Sequence, residues 1–205
     1  MAAMLPKVSI IIPYKVDRGY LAQAIKSVEL QTYKGEIELI LSQSDNGVSY
    51  NINRGIEKAT GEYIKYLCDD DFLTPNSIHD SVMALGGADF LHGNAFNLHP
   101  GHTERQKPKI ENPTFKQMLN NNVIHGGTLM YRKDVFDRIG LFDETLDCAE
   151  EYEFNLRCLA NGMRLRYCNQ FLYNYRRHPK QKSLGKGIDQ NLRQQKIMAI
   201  KAKFK

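Results

Sequence analysis

The sequence has no apolar run that approaches the roughly 20 residues needed to span a bilayer. Its opening stretch, MAAMLPKVSIIIPYK, holds one short apolar segment broken by Pro13, too short and wrongly flanked for a signal peptide. These absences predict a cytoplasmic chain. Cys68, Cys148, Cys158 and Cys168 form no C-x-x-C pair, so neither a zinc site nor a redox motif is indicated. Four reduced, mostly buried thiols are expected instead. Charge of one sign is lacking too. Lys and Arg number 28 against 23 Asp and Glu, a net charge of +5. That excess could favour an anionic ligand such as a nucleotide, but it is too small to argue for nucleic acid. Internal repeats and low-complexity segments are also missing.

What is present fits an ordinary globular chain: 205 residues, 42% hydrophobic and 25% charged. VSIII, residues 8 to 12, reads as a strand buried on both faces and ended by Pro13. Apolar residues at 21, 24, 25 and 28 make a helical stripe within residues 20–32. IELIL, residues 37 to 41, reads as a second buried strand. SYNINRGIEKA reads as a second helix closed near Gly61, and EYIKYLC as a third strand. The order β-α-β-α-β predicts an α/β domain with parallel strands and right-handed crossovers.

The second half is less regular. DFLHGNAFNLH reads as a strand running into an irregular polar segment, residues 99–113, a loop or linker. A short strand then precedes a helix that starts near Lys133 and stops at Gly140. CAEEYEFNLRCLANG reads as a helix ending at Gly162, and RLRYCNQFLYNYRRH as one or two strands. Residues 188–205 form a basic, lysine-rich helix appended to a domain of residues 1–187. Its apolar face, Ile188, Leu192, Ile197 and Ile200, is imperfect. It would either lie on an anionic membrane surface, or pack back on the domain or across a homodimer contact.

The segment YLCDDDFL sets three carboxylates, Asp69, Asp70 and Asp71, at the end of the third strand. Carboxylates this close repel one another and are costly to desolvate. The bland reading is a solvated turn or helix cap before FLTPNSI. The functional reading is a hard divalent cation, Mn²⁺ or Mg²⁺, whose charge offsets the repulsion and which takes its other ligands from water and phosphates. A metal-bound diphosphate is a better leaving group. In parallel α/β sheets ligands bind beyond the carboxyl ends of strands, which is where these residues fall.

Several further segments occur in order with these: VSIIIPY, LAQAIKSVELQTY, IELIL, NRGIEKATGEYIKYLCDDDFLTP, RKDVFDRIGLFDETL, AEEYEFNLRCLANG and YRRHPKQKS. Together, over about residues 7–183, they resemble a family 2 glycosyltransferase. The resemblance implies the GT-A fold, a single Rossmann-like domain with a mostly parallel central sheet flanked by helices. It also implies a nucleotide-sugar donor, a divalent metal and inversion at the anomeric carbon. Pro13 and Tyr14 match the strand end that touches the base. Asp70 matches the usual metal ligand, and Asp69 lies beside the ribose. Cys68 stands where many members have the first aspartate of the motif, so Asp71 is kept as a second metal ligand. Glu151 matches the catalytic base, with Glu150 as its companion. His178 matches a histidine that approaches the metal or the diphosphate. Gln43 and Ser44 replace the usual aspartate pair after the second strand; Gln43 would read the base through its amide, or Asp45 would take over with a shifted loop.

On residue type alone, Glu151 would sit on a solvated helix face, and His178 would be a hydrogen-bonded loop residue. Arg176, Arg177 and Lys182 would be plain surface charge or would screen a diphosphate, Arg177 and Lys182 being the candidates carried forward. His125, Gly126 and Gly127 precede a strand near the expected acceptor position, and Tyr167, Tyr173 and Tyr175 would be core. The expected activity is transfer of a sugar, UDP-linked, to a hydroxyl on a glycan, a lipid carrier or a protein. One carboxylate base suffices because the diphosphate leaves without a proton donor. Two other classes remain: a non-catalytic sugar-nucleotide-binding or assembly protein of the same fold, and a nucleotidyltransferase. The latter would need a basic glycine-rich loop after the first strand, and PYKVDRGY lacks it.

Overall fold

The computed structural model describes residues 4–146, 148–178, 181 and 190–204. The β-α-β-α-β order is realised as β1 (Val8–Tyr14), α1 (Leu21–Glu29), β2 (Ile37–Gln43), α2 (Val48–Lys58) and β3 (Tyr63–Tyr66). There follow β4 (Phe72–Leu73), α3 (Ser77–Leu85), β5 (Phe90–His99), β6 (His102–Gln106) and α4 (Phe115–Asn120). The chain ends with β7 (Met130–Arg132), α5 (Asp134–Ile139), α6 (Glu150–Ala160), β8 (Leu165–Arg176) and α7 (Gln190–Ala202). The strand order is β2-β1-β3-β7-β5-β8-β4, with β6 attached to β5. Pairing is parallel across β2-β1-β3 and between β5 and β8, and antiparallel elsewhere. The result is a mixed α/β sheet flanked by helices.

β1 lies between β2 and β3, and its alternation divides the core. Ile10 and Ile12 pack with Leu21, Ala24 and Val28 of α1 and with Ile78 of α3. Ile11 faces the other way, onto Ile52 and Ile56 of α2 and Phe154 of α6. β1 runs through Pro13 to Tyr14, beyond the expected stop. β3 pairs only as far as Ile11, so the amide that proline lacks would have had no partner on that side.

Three expectations need correction. β2 is an edge strand paired with β1 alone, so most of its side chains are half-buried or exposed, not buried. α2 closes where Ala59 turns extended, before Gly61. Residues 99–113 are not simply irregular: β6 folds back on β5 as a hairpin. After the hairpin, α4 starts from a capping box in which Thr114 and Gln117 satisfy each other's backbone amides.

The tail packs back on the domain. Ile200 is buried in the core, Lys201 Nζ donates to the Asn120 carbonyl at 2.7 Å, and Phe204 meets Phe115 edge-on. Ile197 also packs inward, while Leu192 stays exposed. Ile188 and the 187/188 boundary lie outside the described residues. Among the described residues no helix is long and apolar enough to cross a membrane. The four cysteines are reduced thiols, three of them buried.

Candidate active site

A cavity of about 480 Å³ opens beyond the carboxyl ends of β1 and β3. Pro13 and Tyr14 form its β1 wall, Ser44 and Asp45 its β2 side, and Cys68 to Asp71 its floor. Glu150 and Glu151, at the start of α6, face them across the same space. Two carboxylate groups that are remote in sequence thus converge on one cavity.

The rim is built by buried polar side chains. Asn51, on α2, donates to the carbonyls of Tyr14 and Ser44 at 3.1 Å each and accepts from the Ser44 hydroxyl at 2.6 Å. One amide therefore ties the ends of β1 and β2 together. Asn53 pairs with both backbone groups of Phe142, at 2.9 and 3.0 Å, and donates to Glu144 at 2.8 Å. That fixes the segment leading towards α6. Ala149, just before Glu150, sits in the left-handed region at φ 60°. A non-glycine residue held there costs on the order of 1–3 kcal/mol, a strain borne at the point that aims α6.

The three aspartates have different surroundings. Arg18 Nη2 donates to Asp69 at 2.8 Å and to Asp70 at 3.0 Å. Burial raises the Asp69 carboxyl above its ordinary value, against the pull of Arg18. His178 is buried and places Nε2 at 3.0 Å from Asp70 Oδ2, leaving its Nδ1 without a hydrogen-bond partner among the described residues. Asp71 turns inward and accepts from the Tyr173 hydroxyl at 2.8 Å and the Arg176 amide at 2.7 Å. Burial, then the neighbouring Asp70, pushes its carboxyl up to about 8.

A divalent cation can be tested against this donor set. Cys68 Sγ and carboxylate oxygens of Asp70 and Asp71 lie within 4.8 Å of one another. Burial raises the Cys68 thiol well above its usual range, so it stays protonated and ill-suited to a hard ion. Two crowded carboxylates do suit one: burial and then Asp70 destabilise the Asp71 anion, and a cation's charge would offset both. The residues fit a hard cation held by Asp70 and Asp71.

Glu151 is not on a solvated face. It is half-buried and lines the cavity, and burial raises its carboxyl, opposed by backbone amides at the helix start and by Arg193 of α7. Gly126 lies against it: a Cβ there would stand 2.9 Å from Glu151 Cγ and 3.3 Å from Oε1. Beneath this turn Lys65, fully buried on β3, donates to the carbonyls of Gly127 at 3.0 Å and Leu129 at 3.1 Å. Burial lowers that ammonium to about 7. His125 packs against Tyr173 and Tyr175, and burial pushes its imidazole down to about 4. Tyr173 is core as expected, whereas Tyr175 lines the cavity.

Gln43 stands apart from the cavity wall. It is exposed, with Oε1 at 3.4 Å from the Tyr14 hydroxyl and Nε2 donating to the Lys15 carbonyl at 3.2 Å. Arg176 also points away: it donates to the Asp70 carbonyl and lies over the Tyr20 and Phe72 rings. Arg177 stacks on Tyr175 at the rim. Lys182 lies outside the described residues. Sequence reading missed Arg18, Asn51 and Arg193. Arg18 was legible as a cation just past β1, whereas Arg193 reaches the cavity only because the tail folds back.

The model of the family described as glycosyl transferase family 2 matches residues 29–140, more than half of the chain. The chain belongs to this family. It is 30% identical over 184 residues to an uncharacterized glycosyltransferase of Rickettsia typhi, covering 72% of this chain and 57% of that protein. An uncharacterized glycosyltransferase of Rickettsia prowazekii is 28% identical over the same proportions. The chain therefore spans little more than half the length of these relatives. Crystal structures of Staphylococcus aureus TarS residues 1–349, in complex with UDP and with UDP-GlcNAc, superpose with TM-scores of 0.68 and 0.70 at 18% identity. They cover 84% and 85% of this chain and 61% and 60% of those chains, and they establish the GT-A fold.

Proposed function

We propose that this chain transfers a sugar from a UDP-linked donor to an acceptor hydroxyl, with inversion at the anomeric carbon. The observation that carries this reading is the meeting of the aspartate cluster with Glu150 and Glu151 across one cavity at the ends of parallel strands. UDP and UDP-GlcNAc in the similar TarS structures support the donor class.

In this reading the base lies against Pro13 and Tyr14, with Ser44 and Asp45 beside it. Gln43 then acts from behind, holding the Tyr14 hydroxyl and the Lys15 carbonyl. Asp69 takes the ribose. Asp70 and Asp71 would hold a divalent cation, Mn²⁺ or Mg²⁺, with His178 braced on Asp70; bound there, the ion would supply positive charge to the departing diphosphate. Arg18, already paired with the cluster, can turn one guanidinium edge to the same phosphates. Arg177, and Lys182 beyond the described residues, are the further cations for that role.

Glu151 takes the proton of the acceptor hydroxyl. The acceptor oxygen bonds to the anomeric carbon, and the bond from that carbon to the diphosphate oxygen breaks, its electron pair leaving with the diphosphate. Burial raises the proton affinity of Glu151, which suits a base. Glu150 stands next to it as companion, and the backbone amides at the helix start and then Arg193 oppose the rise.

A thermal-shift panel of nucleoside diphosphates, with and without Mn²⁺, tests the donor. Binding stabilises the native state by mass action, so UDP with Mn²⁺ should raise the melting temperature most. Equal shifts for all bases, or a larger shift with a purine nucleotide, would overturn the uridine assignment.

A further inference from the structure

The β5–β6 hairpin carries a second group of metal-ligating side chains, outside the cleft. β5 and β6 are joined by Pro100 and Gly101, with Gly101 at φ 87°, the sequence and sign that a type II turn requires. Cross-strand register pairs His99 with His102 and Asn97 with Glu104. The two-residue period puts all four on one face of the hairpin.

The side chains converge there. The imidazoles of His99 and His102 stack with centroids 4.5 Å apart and planes 3° from parallel. His99 Nε2 lies 3.2 Å from Glu104 Oε2, and His102 Nε2 lies 3.6 Å from Glu104 Oε1. One donor atom from each residue falls within 4.8 Å of the other two. His99 Nε2 and Asn97 Oδ1 are also shielded from solvent, and Asn97 Oδ1 has no hydrogen-bond partner among the described residues.

We propose that His99, His102 and Glu104 bind a transition-metal ion of the zinc class at this hairpin. Two atoms bound to one tetrahedral ion at zinc–nitrogen and zinc–oxygen lengths stand about 3.3 Å apart, close to the 3.2 and 3.6 Å that separate the two imidazoles from Glu104, and the stacked rings need only rotate to aim both nitrogens at one ion. Imidazole with carboxylate selects zinc, nickel or copper over magnesium or calcium. Three protein ligands leave a fourth position for water. The ion takes up the buried His99 nitrogen and pins the two ends of the turn. The hairpin stem is in turn tied to the cleft rim, since the Arg177 amide donates to the Leu98 carbonyl at 2.9 Å.

The test is Co²⁺ titration followed by visible d–d absorption, in excess Mg²⁺ to occupy the cleft. Zn²⁺ should displace the signal. Wild type should show one such site. His102→Ala and Glu104→Gln, both exposed positions, should each weaken it more than about 10-fold while circular dichroism and UDP affinity stay unchanged. Asp70→Asn and Cys68→Ser should retain it. No band at stoichiometric Co²⁺, or a band unchanged in both hairpin variants, would overturn the proposal. Loss of the band in the Asp70 or Cys68 variant would assign the ion to the cleft and overturn it equally.

Discussion

Gly126→Ala tests the placement of the proposed base without touching its chemistry. The added Cβ would stand 2.9 Å from Glu151 Cγ, 3.2 Å from Cδ and 3.3 Å from Oε1. Carbon atoms in ordinary contact stay about 3.5–4.0 Å apart, so the carboxylate must retreat by roughly half an ångström or more. A misplacement of about 1 Å can cost on the order of 10²-fold in rate. We expect transfer to fall by about 10- to 100-fold, roughly 1.4–2.7 kcal/mol of barrier, with donor affinity within a few-fold. Overpacking should lower stability by about 1–3 kcal/mol, leaving a folded protein to assay. The assay is steady-state sugar transfer beside donor calorimetry, repeated with Glu151→Gln and the double variant. If the glycine acts through Glu151, the double variant is no slower than Glu151→Gln alone. Full additivity, or an unchanged rate in Gly126→Ala, would refute the placement.

Asp70→Asn should remove the gain in UDP affinity that Mn²⁺ gives to wild type, leaving metal-free affinity nearly unchanged; calorimetry with equal Mn²⁺ enhancement in both proteins would sink the assignment. Lys65 predicts a pH effect on stability. Its ammonium titrates at about 7 when folded, against an ordinary value of 10.5, so between these values the unfolded chain binds more protons and stability rises with pH. The gain from pH 7 to pH 8.5 should be about 1.5 kcal/mol relative to Lys65→Met by denaturant unfolding, and parallel pH profiles for the two proteins would contradict it. Asn53→Ala strands the amide and carbonyl of Phe142 and should destabilise by about 2–4 kcal/mol; a change below about 0.5 kcal/mol would show that water replaces the side chain.

Much of this architecture was legible in the chain because period and punctuation agreed. The β-branched run of β1, the stripe of α1, and the glycines closing α5 and α6 each carry their own local signal. The aspartate cluster was legible as a candidate site because three mutually repelling carboxylates fall past the end of a buried strand, although a turn or helix cap was the plain alternative. What escaped depends on tertiary neighbours. IELIL reads as a buried strand, but its exposure is set by having a partner on one side only. Asp71 resembles Asp70 in sequence yet turns into the core to meet Tyr173 and the β8 backbone. Glu151 reads as surface because its enclosure comes from Gly126 and from a tail that local pattern leaves undirected. The hairpin was hidden because every residue of β6 is exposed, so no apolar alternation marks it.

The most direct measurement is sugar transfer by Glu151→Gln set beside its donor affinity. The amide keeps the size of the side chain but cannot take the acceptor proton. A positioned general base contributes typically about 10²–10⁴-fold, so the rate should fall by that factor while UDP-sugar binding by calorimetry stays within a few-fold of wild type. Transfer at the wild-type rate, or a loss of donor binding as large as the loss of rate, would contradict the assignment of Glu151 as the base.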